Sequence, residues 1–191
     1  MSTIAPIRQA FVPYRRDEII ALAHHTREQF AAHSIDEVAE RQGILFLRRP
    51  DPNATKAGFS CIMKRKRRKR IPSIARPGKY VFSFHEFEEV IDEVIVINPL
   101  CAPNEQEVFW HEYYHLYYSP SRSGGSAYIG GYSTSGVLDK QEEWRANLFA
   151  AVILVPTLKK GDTAEKLVAD FGVTIETANI RMKHPETIFK D

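Results

Sequence analysis

The sequence predicts an α+β domain in which a small mixed or antiparallel sheet packs with several helices. Three observations carry this. Apolar residues recur at helical spacing towards both ends of the chain, four short β-prone runs lie between residues 44 and 99, and Gly or Pro punctuates the junctions. With 191 residues, 43% of them apolar, the chain can build one real core but not comfortably two. A single domain over 1–191 is expected, with 157–191 as its helical C-terminal extension.

The elements follow in order. "RRDEIIALAHHTREQFAA" sets Ile19, Ile20, Ala23, Thr26 and Phe30 on one helical face, with Asp17 placed as its cap. In "SIDEVAERQG", Ser34 and Glu37 form a capping box, Ile35, Val38 and Ala39 make the buried stripe, and Gly43 stops the helix. His24, His25 and His33 have no ligand spacing among them and read as surface or boundary residues. Residues 44–49, 58–63, 80–84 and 93–99 are the β-prone runs. Between the second and third, "KRKRRKRIPSIARPGK" reads as a basic loop leaving the sheet. From Asn104 the chain turns helical through "FWHEYYHLYY". "SPSRSGGSAYIGGYSTSG", with five glycines and seven serines or threonines, is a long loop that would serve as a lid if it ordered on substrate. "DKQEEWRANLFAAVILVP" resumes as a helix stopped by Pro156, and "GDTAEKLVADFGVTIETANIRM" holds two short helices about Gly172.

A formal charge of +2 argues against a molecule that binds nucleic acid through its overall field. The basic character is local: Lys64, Arg65, Lys66, Arg67, Arg68, Lys69 and Arg70 supply seven of the 26 Lys and Arg residues. On a loop, such a run is a solvated surface, a docking site for nucleic acid or an acidic partner, or an import signal. Cys61 and Cys101 lie far apart, without metal-knuckle spacing, and read as reduced core thiols. The first residues lack the apolar core of a signal peptide, and no segment approaches the ~18 apolar residues of a membrane span. A cytoplasmic protein without membrane partners is expected.

The chemistry concentrates in "HEYYH". Residues four apart on an α-helix differ by about 40° in direction, so His111 and His115 project from one face and can share one ion. Glu112 lies to one side, where a general base can reach water without displacing an imidazole. Phe109, Trp110, Tyr113, Leu116 and Tyr117 would anchor the other faces. The bland alternative is two histidines bonded within an aromatic core, and only a third ligand decides against it. Two acids compete for that place. Glu142 has a local explanation, since Asp139 three residues earlier resembles a cap. Glu143 has none, and it shares a face with Ala146, Asn147 and Ala150 while Trp144, Leu148, Val152 and Val155 form the apolar stripe. A carboxylate on a small-residue face can approach another helix closely, which favours Glu143 and leaves Glu142 as runner-up.

"VIVINP", "HEYYH" and "EEWRANLFAAVILVP", in that order, resemble the ImmA/IrrE-type metallopeptidases. Their pattern is an HExxH helix followed by a Glu-x-x-Ala-Asn-x-Phe-Ala-Ala helix ending in Pro. Glu143, Ala146, Asn147, Phe149, Ala150, Ala151 and Pro156 all match it. The resemblance implies a compact zincin-like fold and a zinc ion, or another divalent metal, held by His111, His115 and Glu143, with Glu112 as base. It also implies a protein substrate, a helix-turn-helix repressor or an antitoxin-like regulator. One departure is Tyr113-Tyr114 where the family has Leu-Gly, which is expected to add bulk beside the site. Tyr128 and Tyr132, in the Gly-rich loop, are candidates for an oxyanion or substrate helper. His85 reads as structural.

Two rival functions arise from the same residues. "LVADFGVTIETANIRM" has the look of a DNA-binding helix-turn-helix, with Thr174 capping a second helix that offers Arg181 and Lys183. The Tyr113-Tyr114 departure leaves room for a metal-bearing protein that senses rather than cleaves.

Overall fold

The computed structural model describes residues 15–70, 85–118 and 140–185, with only the backbone of 61–70 and 85–91. Within these, six helices surround a three-stranded mixed sheet, an α+β arrangement. The helices are α1 Arg16–Phe30, α2 Ile35–Gln42, α3 Glu105–Tyr118, α4 Lys140–Leu154, α5 Ala164–Phe171 and α6 Ile175–Lys183. The strands are β1 Ile44–Arg48, β2 Gly58–Arg70 and β3 His85–Ile97, in the order β1-β3-β2. β1 runs parallel to β3 and β2 antiparallel to it. No helix among the described residues is long and apolar enough to cross a membrane.

α1 buries Ile19, Ile20, Ala23, Thr26 and Phe30, the stripe its spacing predicts. Its cap differs from the expectation. Arg15 is the N-cap and its N–H donates to Glu18 at 3.0 Å, so Asp17 falls inside the first turn, where its charge still favours the helix start. α2 follows its prediction: the Glu37 N–H donates to Ser34 Oγ, the Ser34 N–H donates to Glu37, and Gly43 closes the helix at φ 70°.

The basic run is a strand and not a loop. The backbone of residues 64–70 continues β2, and its register sets Lys66 opposite Glu89, Arg67 opposite Glu88 and Lys69 opposite Glu86. β3 offers an antiparallel partner of equal length, 13 residues in each strand, along which the backbone of the basic run is paired. The expected strand at 80–84, the loop at 119–136 with Tyr128 and Tyr132, and the side chains of Cys61 and His85 lie outside what is described. Cys101 is a free thiol as expected, but it is half-buried and lies outside the core.

The main core lies between the inner sheet face and α1, α3 and α4. Ile44, Ile95 and Ile97 meet Phe109, Trp110, Tyr113, Leu148 and Phe149 there. α5 and α6 close a second, smaller cluster of Leu167, Val173 and Ala178 on Val155 at the end of α4. They are also fastened to the start of α3. Asn104 Nδ2 donates 2.8 Å to the Gly172 carbonyl, and Thr174, the cap of α6, donates its hydroxyl 2.8 Å to Glu107. The effect is to fix the HExxH helix at its N-terminal end and α4 at its C-terminal end.

Arg181 performs that second task. It is fully buried, and its guanidinium donates to the carbonyls of Val155 at 2.7 Å, Pro156 at 3.1 Å and His184 at 2.7 Å. A cation over the carbonyls that follow α4 satisfies groups left open by the helix and opposes the dipole's negative end. The DNA-binding expectation placed Arg181 on a reading surface; burial in this clamp removes it from any such role.

Candidate metal centre

α3 turns two faces to two different neighbours. His111 and His115 look towards α4, and Glu112, with Val108 one turn before it, looks towards β2. The histidine rings stand 4.7 Å apart, and the two Nε2 atoms 3.1 Å apart. From α4, Glu143 inserts its carboxylate between them, Oε2 at 3.3 Å from His111 Nε2 and Oε1 at 3.4 Å from His115 Nε2. These three groups form a candidate ion-binding cluster whose ligand atoms lie within 4.8 Å of one another.

The spacings test whether a metal fits. Ligand atoms roughly 2.0–2.1 Å from a tetrahedral ion lie about 3.3 Å from each other. The Nε2–Nε2 separation of 3.1 Å, and the approach of a different Glu143 oxygen to each imidazole at 3.3 and 3.4 Å, are of that size. The Glu143 side chain is 38% exposed, whereas those of His111 and His115 are 18% and 12% exposed, so the cluster is buried on the histidine side and wetter on the acid side. Two imidazoles and one carboxylate are a donor set suited to a divalent transition metal.

Comparison with protein-family models, curated proteins and solved structures finds no match. The chemistry of the site must then be read from its own surroundings, and these are specific. Asn147 stands one turn beyond Glu143, and its Oδ1 lies 2.8 Å from His111 Nδ1. A carbonyl oxygen there requires the proton on Nδ1, which leaves the Nε2 lone pair for an ion. Glu142 is buried to 4% exposure, and its Oε1 lies 3.7 Å from His115 Nδ1, behind the second ligand. Reading Glu142 as an N-terminal turn residue explained its place in the chain but not its burial; Asp139, the supposed cap, lies outside the described residues. Sequence reasoning put Asn147 on the correct face without giving it this part, and it missed the part of Glu142.

Charge explains the cluster without an ion. Hydrogen bonds with His111 and His115 hold the Glu143 carboxyl far below the usual carboxylate range. Burial opposes a charge on His111, but its hydrogen bond to Glu143 and the nearby Glu112 and Glu143 carboxylates outweigh that and raise its pKa. The Glu143 carboxylate is thus held by hydrogen bonds with the two imidazoles, and a metal ion would take the place of those bonds.

Glu112 is 8% exposed, and its Oε2 accepts a 2.8 Å hydrogen bond from Ser60 Oγ on β2. Ser60 is a second residue that sequence reasoning did not single out. Tyr113 and Tyr114 have a second role besides their place next to the histidines. Both are buried, at 4% and 0% exposure, and their rings join Phe149 and Tyr118 in the aromatic core. Tyr113 lies parallel to Phe149 with centroids 6.4 Å apart. Tyr113 serves to pack α3 on α4, while the Tyr114 ring, 6.1 Å from that of His115, also adds bulk beside the site as expected.

Proposed function

We propose that the chain is a zinc-dependent endopeptidase of the ImmA/IrrE type, with a zincin-like fold, that cleaves a helix-turn-helix repressor or an antitoxin-like protein in the cytoplasm. The observation that carries this reading is the convergence of His111, His115 and Glu143 beside a separately held Glu112. The order of "VIVINP", "HEYYH" and "EEWRANLFAAVILVP" supports the family, and the family supplies the substrate class.

When bound, zinc supplies Lewis acidity, polarising a peptide carbonyl and lowering the pKa of a water towards neutrality. The chain's residues do the rest. Glu112 takes the proton of that water as its oxygen adds to the carbonyl carbon, then returns the proton to the departing amine. Asn147 keeps His111 in the ligating tautomer, and Glu142 backs His115. Tyr128 or Tyr132 would supply the helper for the developing oxyanion, and Lys64 to Arg70 would dock an acidic region of the partner or a nucleic acid bound to it.

The test is incubation of the zinc-loaded protein with the repressor-like product of a neighbouring gene. A single cut is expected, abolished by chelator and by Glu112→Gln. Cleavage that survives Glu112→Gln rejects the assigned base, and tight DNA binding indifferent to chelator favours the rival.

A further inference from the structure

Ser60 is not a ligand, yet it holds the acid proposed as the base. The approach begins at Gly58. A Cβ there would stand 2.5 Å from Val108 Cγ1, 3.1 Å from the Val96 carbonyl oxygen and 3.5 Å from Glu112 Cγ. β2 therefore lies against α3 at a separation that a side chain would not permit, which is why glycine occupies the first position of the strand. Two residues on, where a strand returns to the same face, Ser60 reaches Glu112.

The bond bears on function through conformational freedom. A glutamate side chain has three rotatable bonds, and fixing it costs rotamer entropy. α3 determines where Glu112 begins, but not where its carboxylate ends. A hydroxyl donated at 2.8 Å to Oε2 holds that end and leaves Oε1 for the water. Because Glu112 is nearly buried, this donor meets little competition from solvent.

We propose that Ser60 is a positioning residue, whose hydroxyl fixes the Glu112 carboxylate so that Oε1 takes the proton of the attacking water and passes it to the leaving amine. The inference rests on the protease reading of the same site. A bond that merely packed β2 on α3 would add stability without governing turnover or the Glu112 rotamer.

The experiment compares zinc-loaded wild type, Ser60→Ala, Ser60→Thr and Glu112→Gln. Two measurements are made: steady-state kinetics on the cleaved protein, and side-chain NMR couplings of Glu112, which report a fixed or averaged rotamer without any need for turnover. Ser60→Ala is expected to bind zinc as wild type does and to lose about 10- to 100-fold in kcat. Its KM should stay within about twofold, its Glu112 should average between rotamers, and Ser60→Thr should restore both properties. Wild-type kcat in Ser60→Ala, or a single Glu112 rotamer there, overturns the proposal. If wild type and Glu112→Gln are equally inactive, the protease reading fails, and the NMR couplings alone then decide whether Ser60 positions Glu112.

Discussion

About 100° of helical rotation separates Glu142 from Glu143, enough to send one carboxylate behind His115 and the other between both imidazoles. Their parts differ, and so should the cost of losing them. Glu143→Ala is expected to lower zinc affinity at least about 100-fold, and Glu142→Ala about 10-fold. Competition with a chromophoric chelator measures both, and the reverse order would overturn the ligand assignment. Asn147→Ala should cost about 10- to 100-fold in the same assay, with Asn147→Asp recovering most of it because a carboxylate also accepts from His111 Nδ1. The two histidines and the two competing acids were legible because the ligands follow helical spacing within α3 and α4. Ser60 was not: its meaning depends on which strand position meets which helix turn, a contact across 52 residues of chain. The core packing of Tyr113 and Tyr114 was missed for the same reason, since spacing shows that two rings leave α3 but not that Phe149 receives them.

Elements were most legible where a local rule closes them. Ser34, Glu37 and Gly43 begin and end α2 by hydrogen bonds among near neighbours, and Gly172 and Thr174 divide α5 from α6 in the same way. β2 had no such closure. Seven successive cations suggest solvent until β3 supplies a partner, and that partner lies beyond 71–84. Arg181 shows the opposite failure, a cation assigned to the surface because its burial depends on carbonyls 25 and 26 residues earlier. Arg181→Met should leave those acceptors unpaired and cost about 2–4 kcal/mol, read as a lower urea midpoint at unchanged slope. Since the clamp acts about 18 Å along α4 from Glu143, zinc affinity should hold.

For the whole molecule, the proposed metal would be linked to stability. Zinc at about 100 times its dissociation constant should add about 2.7 kcal/mol, and chelation should lower the melting temperature correspondingly. The pH dependence has two sides. The raised pKa of His111 stabilises the ion-free fold fully below pH 6.5, and that contribution fades as pH rises through the raised value. The lowered pKa of Glu143 stabilises it fully above pH 4.5 and fades as pH falls through the lowered value. Protons favour the ion-free triad and compete with metal, so the gap in melting temperature between zinc-loaded and ion-free protein should widen from about pH 5 to about pH 8. A gap that narrows over this range would contradict the assigned ligands.

The division of the ligands between α3 and α4 also has a consequence during synthesis. A nascent chain displays both histidines while its carboxylate is still untranslated, so the ribosome first presents an incomplete chelate. At about 5–20 residues per second, the codons between His115 and Glu143 impose a delay of about 1 to 6 seconds. Over that interval the chain cannot assemble the proposed three-ligand centre, and any activity that depended on it would wait until the segment bearing Glu143 had left the exit tunnel.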